Sequence, residues 1–198
     1  MAMITQSDIN YTEEIVENLS SADIREIYSD SLLLWVCGSG SGIGHPAGNY
    51  YCVLDYKGRT SFLEGEIAGV STNAAMIEGF RQAVTAIKKP VDIHLLTPCP
   101  LGFGTGFRGK GPNAGSLQAA LEIVKEKKCT LTVSVITGDV IRKFVMEQGG
   151  KKQEPRENRY KKAIYSECLE KVCQLLRKNG IDPMVIEQVR TITAEDPD

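Results

Sequence analysis

No apolar run in this 198-residue chain approaches the ~20 residues that a membrane-spanning helix needs. A helical membrane protein is thereby excluded, and no membrane partner is expected. The first 30 residues lack a basic start followed by an apolar stretch, so no signal peptide is expected. None of the six cysteines (Cys37, Cys52, Cys99, Cys129, Cys168 and Cys173) belongs to a CxxC pair, which argues against a zinc ribbon. Four of them lie inside apolar segments, where free cysteine behaves as a small hydrophobe. Reduced thiols and a cytoplasmic location are the expectation. Histidine is scarce, with only His45 and His94. No Gly-Lys-Ser/Thr follows a glycine at P-loop spacing, and no internal repeat or low-complexity stretch is present. What remains is ordinary for a globular domain: 42% apolar, 24% charged and a net charge of −2.

Charge is unevenly placed. Residues 1–30 set Arg25 against Asp8, Glu13, Glu14, Glu17, Asp23, Glu26 and Asp30, a net −6. Residues 142–178 hold eleven Lys/Arg against five Glu, a net +6. That basic stretch is either a solvated helix surface or a face for phosphate that the acidic segment competes for. The pI near 5.8 argues against strong, nonspecific nucleic-acid binding.

Periodicity outlines an α/β order. A helix is predicted over 11–28, with Ile15, Leu19 and Ile24 on a weak apolar face. Ser31 to Val36 reads as a buried strand, followed by a glycine-rich loop to Pro46. Tyr50 to Asp55 and Arg59 to Ala68 are strands joined by the Lys57-Gly58 turn, completing an antiparallel meander. Thr72-Asn73 offers a cap for a helix over 74–88, which Pro90 stops. Strand 91–97 ends at Pro98-Cys99-Pro100. Six glycines among residues 102–115 predict a loop, and Ser116 a cap for the next helix. Thr130 to Thr137 alternates as a fifth strand, and a short segment runs to Gly149-Gly150. After a charged linker, 151–157, a long helix ends at Asn179-Gly180, and Asp182 opens a final short one. Strands joined by helices in the second half imply parallel pairs. The expected fold is a mixed five-stranded sheet with helices on both faces. Its expected parts are an acidic helical extension over 1–30, a domain over 31–180, and a short C-terminal helix and tail over 181–198.

The run from Leu32 to about Leu176 resembles the ribonuclease H-like fold, in its small bacterial type. That family ends its first strand in Asp-Gly-Ser before a glycine-rich stretch leading to Tyr-Gly; here the place reads Cys37-Gly38-Ser39, then Gly42, Gly44, Pro46 and Gly48, then Tyr50-Tyr51. Thr72-Asn73 stands where the family has Thr-Asn-Asn, and a helix and strand then precede a C-terminal helix. The resemblance implies phosphodiester hydrolysis by two divalent metals held by four carboxylates. Those four positions fall on Cys37, Ile77, Pro98 and Lys161. None offers the carboxylate oxygen that Mg²⁺ requires. The family's loop histidine is missing as well.

The resemblance therefore implies a catalytically inactive pseudo-nuclease used as a binding module, with no metal and no cofactor. Its partner is nucleic acid, such as an RNA–DNA hybrid, or a protein. Gly38, Ser39, Thr72, Asn73, Arg108 and Lys110 are the candidate nucleic-acid-binding residues. The alternative is an active endonuclease using Mg or Mn on relocated carboxylates, from Glu64, Glu66, Glu78 and Asp139. Two further groupings stand beside these. Cys37, Cys99 and His45 could form a soft-metal or redox site, or be buried thiols near strand ends. The segment Gly102 to Gly111 could cradle phosphate and stack Phe103 and Phe107 on bases, or be a long connection with both rings tucked onto the core.

Overall fold

The computed structural model describes residues 3–42, 46–149 and 156–186. The chain divides into two compact units, residues 1–41 with 47–153, and residues 42–46 with 154–198.

The first unit is built on β2 (Leu32–Ser39), whose continuous apolar run is buried on both faces, as a central strand requires. β3 (Ala47–Tyr56) pairs antiparallel with β2, and β4 (Arg59–Ala68) pairs antiparallel with β3. Lys57 and Gly58 both take positive φ, 51° and 79°, which matches the twist of a two-residue hairpin. On the other side, β5 (Asp92–Thr97) pairs parallel with β2, and β6 (Thr130–Val135) pairs parallel with β5.

The expected five strands are six. Residues 11–28 do not form one helix: Tyr11–Ile15 is β1, paired parallel with β6, and Ser21–Ile27 is α1. The strand order is β1-β6-β5-β2-β3-β4. The physical reason is that β6 has an open edge, and β1 satisfies its backbone groups. Ile15, assigned to a helical apolar face, is instead 75% exposed. Asn18, at φ 60°, breaks the chain, and Ser20 with Asp23 closes a capping box that starts α1.

Two apolar layers cover the sheet. On one face, Leu32, Leu34, Val36, Leu95 and Val133 meet α2 (Thr72–Ala86) and α4 (Ala114–Glu126). On the other, Leu33, Trp35, Leu96 and Val53 meet Ile24 of α1 and Ile141, Phe144 and Val145 of α5 (Gly138–Gln148). Helices therefore flank both faces, as expected.

Several boundaries differ from the sequence reading, among them the end of α2, at Ala86 and not 88, and the start of β3, at Ala47 and not Tyr50. Ser71, not Thr72-Asn73, caps α2, accepting from the Ala74 N–H at 3.3 Å. Ser116 lies inside α4, which begins two residues earlier. The glycine-rich segment is not all loop, because Phe103–Gly106 forms the one-turn helix α3. Phe103 and Phe107 are buried, packed around Tyr11 at 5.5 and 4.7 Å between ring centroids. Both rings are therefore tucked onto the core, and neither faces a base.

In the second unit, α6 (Arg156–Lys178) ends where Gly180 turns left-handed at φ 72° and Ile181 N–H bonds the Leu176 carbonyl. Asp182 then caps the helical residues 183–186, accepting from Met184 N–H at 2.8 Å. No helix among the described residues is long and apolar enough to cross a membrane.

Candidate functional site

β2 and β5 run parallel and end side by side, and α2 starts at the same end of the sheet. Such an end gathers polar backbone groups and loops, which is why open α/β sheets bind ligands there. Close approach is set by glycine. A Cβ on Gly40 would stand 2.6 Å from the Thr72 backbone nitrogen, and one on Gly38 would stand 2.8 Å from the Asn49 carbonyl oxygen. Ser41 ties the loop to the end of β4: its N–H donates to the Val70 carbonyl at 2.8 Å, and its Oγ accepts from Val70 N–H at 3.0 Å. At the end of β5, Thr97 Oγ1 donates to the Cys99 carbonyl at 2.6 Å, fixing the turn. Cys99 Sγ then reaches Asn73 Oδ1 at 3.5 Å. Gly38, Ser39, Thr72 and Asn73 thus lie around one end of the sheet, Thr72 and Asn73 exposed and Gly38 and Ser39 half-buried.

Arg108 and Lys110 lie elsewhere, exposed on the connection between α3 and α4. Among the described residues, no hydrogen bond or ion pair joins them to Thr72 or Asn73.

The four positions matched to metal-holding carboxylates are placed as follows. Cys37 is buried in the layer under α1 and α5, while Ile77 is fully buried in the opposite layer. They cannot converge, because the sheet separates them. Their neighbours do approach: a Cβ on Gly38 would lie 3.1 Å from Met76 Cγ. Pro98 ends β5 and is half-buried. Lys161 is in α6, with its side chain outside the described residues. Neither glycine, methionine nor proline can supply a side-chain carboxylate to magnesium or manganese, so this end of the sheet does not fit such a metal pair.

The carboxylates considered as replacements are dispersed. Glu78 is held by Arg81 in a two-pronged pair, Nε to Oε2 at 2.7 Å, and by Gln82 Nε2 at 2.7 Å. The Arg81 bonds outweigh partial burial and hold the Glu78 carboxyl below its usual range. Glu64 and Glu66 are exposed on β4, and Asp139 is exposed in the first turn of α5. Among the described residues, no group of three or more His, Cys, Asp or Glu is placed to hold a metal ion. His45, invoked with Cys37 and Cys99, lies outside the described residues.

One cluster was not foreseen. Glu14 on β1 accepts from Tyr28 Oη at 2.8 Å and from Ser134 Oγ at 2.6 Å, and lies 3.2 Å from His94 Nε2. His94 Nε2 also bonds Ser134 Oγ. Because the serine proton goes to Glu14, the imidazole carries its proton on Nε2 and donates. This is the reverse of a nucleophilic triad, where histidine accepts from serine. Ser134 is fully buried as well. The cluster fastens β1 and α1 to the parallel strands. Its sequence signal was weak: a glutamate and a serine separated by 120 residues, joined only by strand pairing. No family model matches this sequence, and no curated protein matches it.

Proposed function

We propose that this protein is a non-catalytic ribonuclease H-like domain that binds nucleic acid at the shared end of β2, β5 and α2. Carrying this reading is the lack of any carboxylate where Gly38 meets Met76, and equally at Cys37, Ile77 and Pro98, the positions that the resemblance matches to carboxylates. A scaffold with that end built from glycine, hydroxyl and amide groups can hold a phosphate backbone and has no means of placing the metals that cut it. Ser39, Thr72 and Asn73 supply donors there, and the backbone of Gly38 and Gly40 comes close to the helix start without side chains in the way. Arg108 and Lys110 contribute charge from a separate exposed loop. The net charge of −2 fits modest affinity, and the salt dependence would come from Arg108 and Lys110.

The test measures binding of labelled RNA–DNA hybrid, duplex DNA and single strands at low and moderate salt, with and without Mg²⁺ or Mn²⁺. Cleavage is followed in the same tubes. The expected result is salt-sensitive binding without cleavage, weakened by replacing Thr72 and Asn73 together with alanine. Metal-dependent cleavage lost in Glu78→Gln or Glu64→Gln would overturn the non-catalytic reading. Absence of binding to any strand would overturn the nucleic-acid assignment and leave a protein partner.

A further inference from the structure

The amino-terminal end of β2 carries a second feature, a cavity of about 280 Å³. Its walls include Arg25, Tyr28, Ser29, Ser31, Asp55 and Lys57. Asp55 is only 2% exposed, and Arg25 Nε sits 2.7 Å from its Oδ2. The guanidinium also lies over the Phe144 ring, 5.6 Å from the centroid. Arg25 is therefore held on two sides, while its own side chain remains 38% exposed. The hairpin turn stands beside it, since a Cβ on Gly58 would lie 3.9 Å from Arg25 Nη2. That turn carries Lys57, whose ammonium lies 5.5 Å from the Tyr56 ring centroid and forms no ion pair among the described residues.

The cavity is rich in donors. Guanidinium has five N–H groups, and Asp55 occupies only part of them. Lys57 adds three, and the Ser29 and Ser31 hydroxyls have no partner among the described residues. Asp55 is neutralised by Arg25. Glu26 is the remaining acid on the lining and is exposed. A phosphoryl group with several acceptor oxygens matches the unpaired Lys57 ammonium, the guanidinium N–H groups that Asp55 leaves open and two hydroxyls better than a single carboxylate does. At about 280 Å³ the cavity lies just under the range of drug-sized ligand sites, which favours a molecule of few atoms.

We propose that this cavity binds a small phosphate monoester, whose phosphoryl oxygens accept from Arg25, Lys57, Ser29 and Ser31. The proposal is independent of the nucleic-acid reading, which concerns the opposite end of β2. It is tested by calorimetric titration with glycerol 3-phosphate, glucose 6-phosphate, inorganic phosphate and sulfate at constant ionic strength. Saturable binding of at least one monoester with Kd below about 1 mM is expected, weakened at least about tenfold in Lys57→Gln and in Ser31→Ala. Arg108→Gln is expected to bind as the parent does, and thermal melting confirms that each variant is folded. Arg25 is left intact because its loss would strand the Asp55 charge. Lack of saturation by both monoesters, or equal affinity in Lys57→Gln, would overturn the proposal. So would sulfate and inorganic phosphate binding as well as the monoesters, meaning an adventitious ion only.

Discussion

Glu14 and His94 lie 3.2 Å apart although β6 runs between their strands. Ser134, on that intervening strand, is bonded to both. One half-exposed carboxylate thus meets a buried imidazole at the layer that α1 covers.

This pairing predicts acid sensitivity. Burial pushes the His94 pKa down, against the opposing pull of Glu14. Burial alone would raise Glu14, but its bonds to Ser134 and Tyr28, with His94, bring it net downward. The unfolded chain then binds a proton at His94 more readily than the folded one. Stability should fall as pH drops below about 6.5, the ordinary histidine value, and fall again below about 4.3 as Glu14 protonates. Urea midpoints measured from pH 8 to about pH 2 check this. His94→Gln should flatten the first step and retain the second.

Trp35 offers a second prediction. It is fully buried, its ring 4.3 Å from that of Phe144, and its Nε1–H finds no acceptor among the described residues. Trp35→Phe leaves a void but removes a donor whose isolation costs about 1–3 kcal/mol. The two effects oppose each other, so the net loss should be below about 2 kcal/mol, less than the ~2–5 expected of Leu34→Ala. Denaturation followed by circular dichroism compares the two.

Arg25→Ala should be costly for its exposure. It leaves the Asp55 carboxylate buried without its cation. Stranding a fully buried charge costs about 3–5 kcal/mol, and the partial exposure of Arg25 reduces this to about 2. Replacing both residues, Arg25→Met with Asp55→Leu, should recover most of the loss, which a double-mutant cycle measures.

Gln118 joins distant segments. Its amide receives the Ile4 N–H at 2.7 Å and donates to the Ile4 and Gly106 carbonyls, both at 3.1 Å. Gln118→Ala should speed amide exchange near Ile4 and Gly106 while leaving the β2–β3 ladder protected. Uniform acceleration across the sheet would mean that the clip supports the whole unit instead.

Much of the first unit could be read from sequence because its signals were local. The apolar run 32–36 and the Lys57-Gly58 turn each fix an element without help from afar, whereas α2 ends at Ala86, short of Pro90. Tyr11–Ile15 escaped because its strand character comes from β6, supplied 120 residues later. Phe103 and Phe107 sit among glycines, which suggest an open loop, yet burying both rings organises the segment. At the candidate site, the sequence placed Gly38, Ser39, Thr72 and Asn73 at one end of the sheet. It matched Cys37 and Ile77 to a shared centre, whereas the side-chain alternation of β2 brings Gly38 and Met76 together. A one-residue slip in a strand changes the face, and only the paired sheet fixes which residue looks inward.

β4 leaves one side of a ten-residue strand without a ladder partner in the sheet. Such a border can recruit identical molecules into a growing fibre. Here Glu66 stands exposed on that strand. A second molecule added antiparallel would bring its own acid to that border, so like charge opposes assembly from this side. Neutralising Glu66 should therefore convert a self-limiting border into a stickier one.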